Sequence, residues 1–224
     1  NGNTAFLEIS EGTKRIANAK FDFVNLLLQP GQIYDCEILR NGISIEQFQI
    51  TSLTPSYLYV MDFESIEPVL GDVIEFKVFV NATDFISKKY IVFPEAEYSN
   101  MILWEDEFKL VQSYEFTGKH LVKPDFTYQN SNQKRNLIDY IKSVDSKNTQ
   151  KISLNSGFIP KSDREIIMSI LASKRLWIYI DENNLVEMVN ETKSIVYDDI
   201  DRELISFDLE FTINKKRHEE NNSF

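Results

Sequence analysis

With 224 residues, 42% of them hydrophobic and 26% charged, the chain has the composition of a globular protein and is long enough to bury one large core or two small ones. A net charge of −11, from 35 Asp and Glu against 24 Lys and Arg, speaks against nucleic-acid binding, because phosphate contacts draw on clustered bases. No apolar run approaches the ~20 residues of a membrane-spanning helix, and the single cysteine, Cys36, excludes an intrachain disulfide and a Cys-rich zinc site.

Residues 4–98 read as strands and turns, with no helical period. Ala5–Ile9 is a first strand, Gly12-Thr-Lys-Arg15 a turn, and Phe21, Phe23 and Val24–Leu28 a second strand. Pro30-Gly31 interrupts the chain. Ile33–Leu39 and Ile43–Ile50 flank Asn41-Gly42, the strongest short hairpin signal available. Tyr57–Phe63, the alternating Val73–Val80 and Lys89–Phe93 complete the set. Short strands at regular spacing predict an immunoglobulin-like or fibronectin-type β-sandwich over 1–95. Cys36 reads as a small buried hydrophobe within a strand.

Pro94–Tyr98, short and acidic, reads as a linker to an α+β domain over 99–216. Ile102-Leu-Trp104 opens it, Lys109–Phe116 is a strand ending at Gly118, and Phe126-Thr-Tyr128 continues the sheet. Residues 129–151 are rich in Asn, Gln, Ser and Lys. Within them Leu137, Ile138, Tyr140 and Ile141 have the spacing of a short helix or else sit in an ordered loop. A helix is predicted over 162–174: Ile166, Ile167, Ile170 and Leu171 share one face, and Ser162 and Glu165 have the spacing of a capping box. It should lie on an antiparallel sheet made with Leu176–Ile180, Leu185–Val189 and the alternating strand Ile205–Ile213. Residues 217–224 are a polar tail. The first residues are Asn1-Gly2, without Met and without a visible signal peptide, which reads as processing or as part of a longer product.

Little here points to chemistry. His120 and His218 are far apart in sequence, and no serine sits in a nucleophile elbow. Carboxylates cluster at Asp62/Glu64/Glu67, at Glu105-Asp106-Glu107 and over 198–203, where Asp199 and Asp201 have Asp-x-Asp spacing that could cage a hard cation. Calcium, however, asks for six to eight oxygens, and that run lacks the glycine and distal glutamate of an EF-hand loop. Phosphate-loop and dinucleotide fingerprints are absent. Asn81, Asn190 and Asn221 begin glycosylation sequons, as chance provides in an Asn-rich chain. Tyr57, Tyr59, Trp104 and Trp177 could form a sugar-stacking platform, although aromatics in alternating strands mostly belong to cores.

The second domain resembles a segment of structural proteins from phages and prophages of the Bacteroidota, the crAss-like group among them. The resemblance rests on Ile102–Glu105, Glu115–Gly118, Leu154–Ile159, Glu165–Lys174, Leu176–Ile180 and Leu204–Phe211. It covers roughly half of the chain and carries no catalytic, cofactor or metal residues with it. It implies a non-enzymatic virion protein of the neck or tail, present as a ring-like homo-oligomer or connector that contacts other virion proteins. Such a protein assembles in the cytoplasm of the host bacterium, to which the lack of disulfides is suited. No cofactor, no membrane and no sequence-specific nucleic acid are expected, only DNA passing through a lumen whose carboxylates repel phosphates. The rival reading is a bacterial surface adhesin or carbohydrate-binding module, which would show an exposed aromatic cleft. A hydrolase would need two carboxylates facing each other across a groove.

Overall fold

The computed structural model of the chain describes residues 5–6, 13–80, 85–135, 138–181, 184–195 and 203–213, with backbone alone for 5–6 and 125–149. It is mainly β, with several sheets. Its buried side chains fall into two clusters, one drawn from residues 16–92 and the other from 102–211.

The first cluster lies between two sheets. β1 (Ala5–Phe6), β3 (Phe21–Leu27) and β6 (Ser56–Asp62) form one. β2 (Thr13–Ile16), β8 (Phe85–Val92), β7 (Val73–Phe79), β4 (Ile33–Arg40) and β5 (Ile43–Thr51) form the other, in that order. Neighbours are antiparallel except β2 and β8, which run parallel. Alternation builds the core: Ile74, Phe76 and Val78 of β7 face Val24 and Leu26 of β3 and Met61 of β6. Asn41 and Gly42, at φ 53° and 81°, close the β4–β5 hairpin as the positive-φ pair a tight right-twisted turn needs. After β6, Asp62 caps the single helical turn α1 (Phe63–Ile66) by accepting the amide of Glu64 at 2.9 Å.

The second cluster is covered by a seven-stranded antiparallel sheet. Its strands are β9 (Asn100–Glu105), β10 (Val111–Phe116), β11 (His120–Arg135), β12 (Ile138–Asn155), β14 (Leu176–Asp181), β15 (Asn184–Asn190) and β17 (Asp208–Ile213). They lie in the order β10-β9-β14-β15-β17-β12-β11. A short pair, β13 (Ile159–Pro160) with β16 (Leu204–Ile205), stands apart from it. The helix α2 (Arg164–Ala172) buries Ile166, Ile167 and Ile170 against Ile102, Trp104 and Leu176.

Several details differ from the sequence reading. Thr13–Arg15 is strand rather than turn, because its backbone pairs with β8. A 3₁₀ turn, Lys161–Asp163, precedes α2, and no side chain caps the helix. The capping box does not form because Ser162 is already inside that turn, where its hydroxyl donates to Asp163 Oδ1 at 3.0 Å. The other Asp163 oxygen accepts from Tyr114 at 2.7 Å. Ile138–Ile141 is strand rather than helix or loop, because its backbone pairs with Asn132–Arg135. The closing strand is broken at Ser206-Phe207, where Phe207 turns into the core and its amide donates to Ser156 Oγ at 2.9 Å.

β11 and β12 outrun their sheet. β12 pairs with β17 only over Gln150–Asn155. Beyond that, among the described residues, β11 and β12 pair with each other alone, from Asp125↔Thr149 to Arg135↔Ile138, through a bulge at Gln129/Asn130. At ~3.3 Å per residue this is a two-stranded arm roughly 35 Å long.

Candidate functional site

Polar side chains of both units come together where the two units meet. Among the described residues β3 pairs with β1 at Leu26 and Leu27, which leaves its edge from Phe21 to Asn25 to another partner. β10 covers that edge. Asn25 Nδ2 donates to the Val111 carbonyl at 2.9 Å, and the Phe23 amide donates to Ser113 Oγ at 3.2 Å. The Phe21 ring meets Tyr179 edge-on at 4.8 Å.

Between those contacts Asp22 points inward, only 1% exposed. Its carboxylate lies between the ammonium groups of Lys14 and Lys88, the latter at 3.1 Å. It also accepts the hydroxyls of Tyr90, at 3.0 Å, and of Ser113. Lys14 reaches on to the Ser113 carbonyl at 2.7 Å. Burial by itself pushes the Asp22 carboxyl up. The two lysines and the Ser113 hydroxyl outweigh it and hold the group far below the usual carboxylate range. Asp22 is therefore a fixed anion, with strands of both units built around it.

A second carboxylate ties the linker. Glu115, also buried, accepts the amides of Ala17 and Asn18, both at 2.8 Å, and the Ser99 hydroxyl at 2.7 Å. Asn18 Oδ1 in turn accepts the Ala96 amide at 2.8 Å. The segment joining the two cores is thus pinned to both.

Two of the short segments behind the phage resemblance, Glu115–Gly118 and Leu154–Ile159, meet directly. Asn155 Oδ1 accepts the Gly157 amide at 2.8 Å, and its Nδ2 donates to Asp208 at 2.8 Å. A Cβ on Gly118 would stand 2.1 Å from Asn155 Oδ1, and one on Gly157 would stand 2.2 Å from Thr117 Oγ1. Gly157 is also held at φ +74°. The two glycines are required by close approach, and at Gly157 by backbone conformation as well. A cavity of about 300 Å³ follows this seam, lined among others by Arg15, Phe93, Tyr114, Glu115 and Phe158.

The chemistry of this seam is that of a joint. Asp22 is locked in its ionised form, and Glu115 already accepts three hydrogen bonds. Tyr114, its hydroxyl on Asp163, is pushed above the usual phenol range by burial and by that carboxylate. Sequence reasoning missed Asp22 and Glu115, since neither sits in a recognisable motif for chemistry. The only available signal was polar residues inside apolar strands.

The residues singled out from sequence are dispersed. His120 is exposed, with its ring edge-on to Tyr98 at 5.4 Å and near the Asn100 amide. Asp62 caps α1. Asp106 organises its own turn by accepting the amides of Phe108 and Leu110, both at 2.9 Å. Glu105 pairs with Arg175 at 3.1 Å. Tyr59 is stacked on Phe76 in the first core, Trp104 is buried in the second and donates to Ser169 at 2.9 Å, and Trp177 lies under Arg175. Tyr57 and Tyr59 share one face of β6 against the first cluster, while Trp104 belongs to the second, so the four aromatics do not form one platform. Asn190 accepts the Thr192 amide and donates to the Leu171 carbonyl, which explains its place without a glycan. Residues 198–202, His218, Asn81 and Asn221 lie outside the described residues. Among the described residues no group of three or more His, Cys, Asp or Glu could hold a metal ion, and no helix is long and apolar enough to cross a membrane.

Comparison of the chain with protein-family models, with curated proteins and with solved structures finds no match.

Proposed function

We propose that this protein is a non-enzymatic structural component of a bacteriophage virion, a neck or tail part that works through contacts between subunits in a ring. The observation that carries the reading is the arm of β11 and β12, a two-stranded ribbon projecting from a body whose two cores are joined by a buried ionic seam. Two-stranded ribbons are marginally stable by themselves and gain stability by lying on another surface. A body rigid across its domain junction holds such an arm at a set angle, which a closed ring of repeated contacts requires.

Other features agree with it. The three- and five-stranded sheets, with a parallel pair between the first strands and the last, fit an immunoglobulin-like sandwich of the kind that decorates virion proteins. The helix on the seven-stranded sheet fits the α+β domain of the phage resemblance, and two of the segments behind that resemblance form the seam itself. The acidic total suits a wall around a passage for DNA. Negative-stain electron microscopy of the purified full chain tests the reading. Rings or tubes of constant diameter are expected, and compact single particles at every concentration would contradict it.

A further inference from the structure

We propose that the β11–β12 arm of one copy pairs with the free edge of β6 in a neighbouring copy, so that assembly proceeds by strand addition in a head-to-tail sense. The inference rests on the virion reading only for the premise that the chain assembles with itself. Its own support is threefold.

The first support is an edge without the usual defences. β6 is the outer strand of its sheet, and among the described residues nothing pairs with its far side. Its register with β3 runs unbroken from Ser56 to Asp62, with no bulge. Its sequence, Ser-Tyr-Leu-Tyr-Val-Met-Asp, has no Lys, Arg or Pro, and Leu58 and Val60 are 45% and 46% exposed. Exposed edges are normally blunted by lysine, proline or a bulge, because unpaired amides and carbonyls recruit other strands. β5, the outer strand of the partner sheet, does carry a bulge, opposite Ile38/Leu39. β6 has been left open.

The second is a strand pair to fill it. Past Gln150 neither outer edge of the arm is hydrogen-bonded to a third strand among the described residues. The arm is longer than the seven residues of β6, so it can cover the whole edge.

The third is charge. Residues 125–149, the arm itself, hold four Lys and Arg against three Asp, in a chain whose total is −11. Residues 41–76, which contain β6 and α1, hold six carboxylates and no Lys or Arg. Among these, Asp62 ends β6 and Glu64 and Glu67 follow it; all three are exposed, and Glu64 is paired with Lys20. An arm with a small positive excess and an acidic edge attract, and this orients the encounter before backbone pairing forms. An arm meeting an edge at a different place on the next copy is a heterologous contact, which closes into a ring if the rotation allows and otherwise runs on as a filament.

The test uses the full chain and four variants. In the first, residues 126–148 are replaced by Asn-Gly, shortening the hairpin to its sheet-bound part. In the second, Leu58 and Val60 are both changed to Lys. Sedimentation velocity should show assembly of the parent chain, weakening with added salt. Either variant should give at least a tenfold loss of assembly with an unchanged melting temperature. As a direct probe, copies carrying Val60→Cys are mixed with copies carrying Ser131→Cys and treated with a bismaleimide. Cross-links should form between the two kinds of copy and not within either kind, with buried Cys36 silent. A parent chain that assembles while the truncated or Lys variants assemble equally well, or cross-links that join Ser131→Cys copies to each other, would overturn strand addition and leave self-assembly standing. A parent chain that stays monomeric would remove both.

Discussion

Replacing Asp22 with alanine tests the seam at its centre. The carboxylate is 1% exposed and faces Lys14 and Lys88. Its loss leaves two ammonium groups in a nearly dry site, a change that typically costs ~3–5 kcal/mol. Lys14 is 15% exposed and keeps its bond to the Ser113 carbonyl, so the lower end applies, about 3 kcal/mol. For a chain of this length that is a fall of roughly 6–12 °C in melting temperature. The loss should also separate the two units. Trp104, in the second core, and Trp177, half-buried on β14, report the second unit, and the Cys36 thiol reports the first. In the parent, tryptophan fluorescence and thiol exposure should follow one urea transition. In Asp22→Ala the two curves should part, since the hydroxyl of Ser113 and the strands of the first unit no longer share an anion. The pH dependence carries its own sign. The folded carboxyl is held below its unfolded value, so its stabilisation is complete above about pH 4 and declines as pH falls from there toward the folded value. The stability gap between the parent and Asp22→Asn should thus be level from pH 8 to about pH 5 and narrow only below about pH 4. A gap under about 1 kcal/mol with coincident curves would refute the claim that this cluster joins the units.

Three further outcomes follow from neighbouring contacts. Glu115→Ala strands the amides of Ala17 and Asn18 without their acceptor, at about 1–3 kcal/mol, and hydrogen exchange should speed up at those two amides before it does elsewhere. Gly157→Ala sets a Cβ 2.2 Å from Thr117 Oγ1 at a φ of +74°, and the left-handed conformation alone costs ~1–2 kcal/mol. Adding Thr117→Ala should return only the steric part of the lost melting temperature. Burial pushes the Cys36 thiol up to about 12, so a thiol reagent at pH 8 should label the native chain only as fast as it unfolds, and prompt labelling would place Cys36 outside the core.

Strand content and the main helix were legible because alternation and the 3.6-residue period report burial directly. Asn41-Gly42 marked its hairpin for a local reason, the positive φ at both positions. What could not be read depends on partners distant in sequence. Phe21 and Phe23 alternate with Asp22, a pattern that suggests a wet Asp22. The second unit covers the outer face of β3 instead, and two lysines from β2 and β8 make the inner face fit for an anion. A two-residue period distinguishes two faces without saying which is solvated. The capping box at Ser162 had the right letters, but Tyr114, from 49 positions earlier, claims Asp163 and a 3₁₀ turn takes the place of the cap. The long hairpin was hidden by composition. Its polar residues carry no alternation, and the short apolar group at 137–141 fits helical spacing as well as strand.

The central claim is that this chain works by contact with further copies of itself. The most direct measurement is the mass of the full chain in solution, by light scattering behind a sizing column, over a hundredfold range of concentration. The account predicts a discrete multiple of 26.2 kDa that persists on dilution until it dissociates cooperatively. A mass of one chain throughout would contradict it.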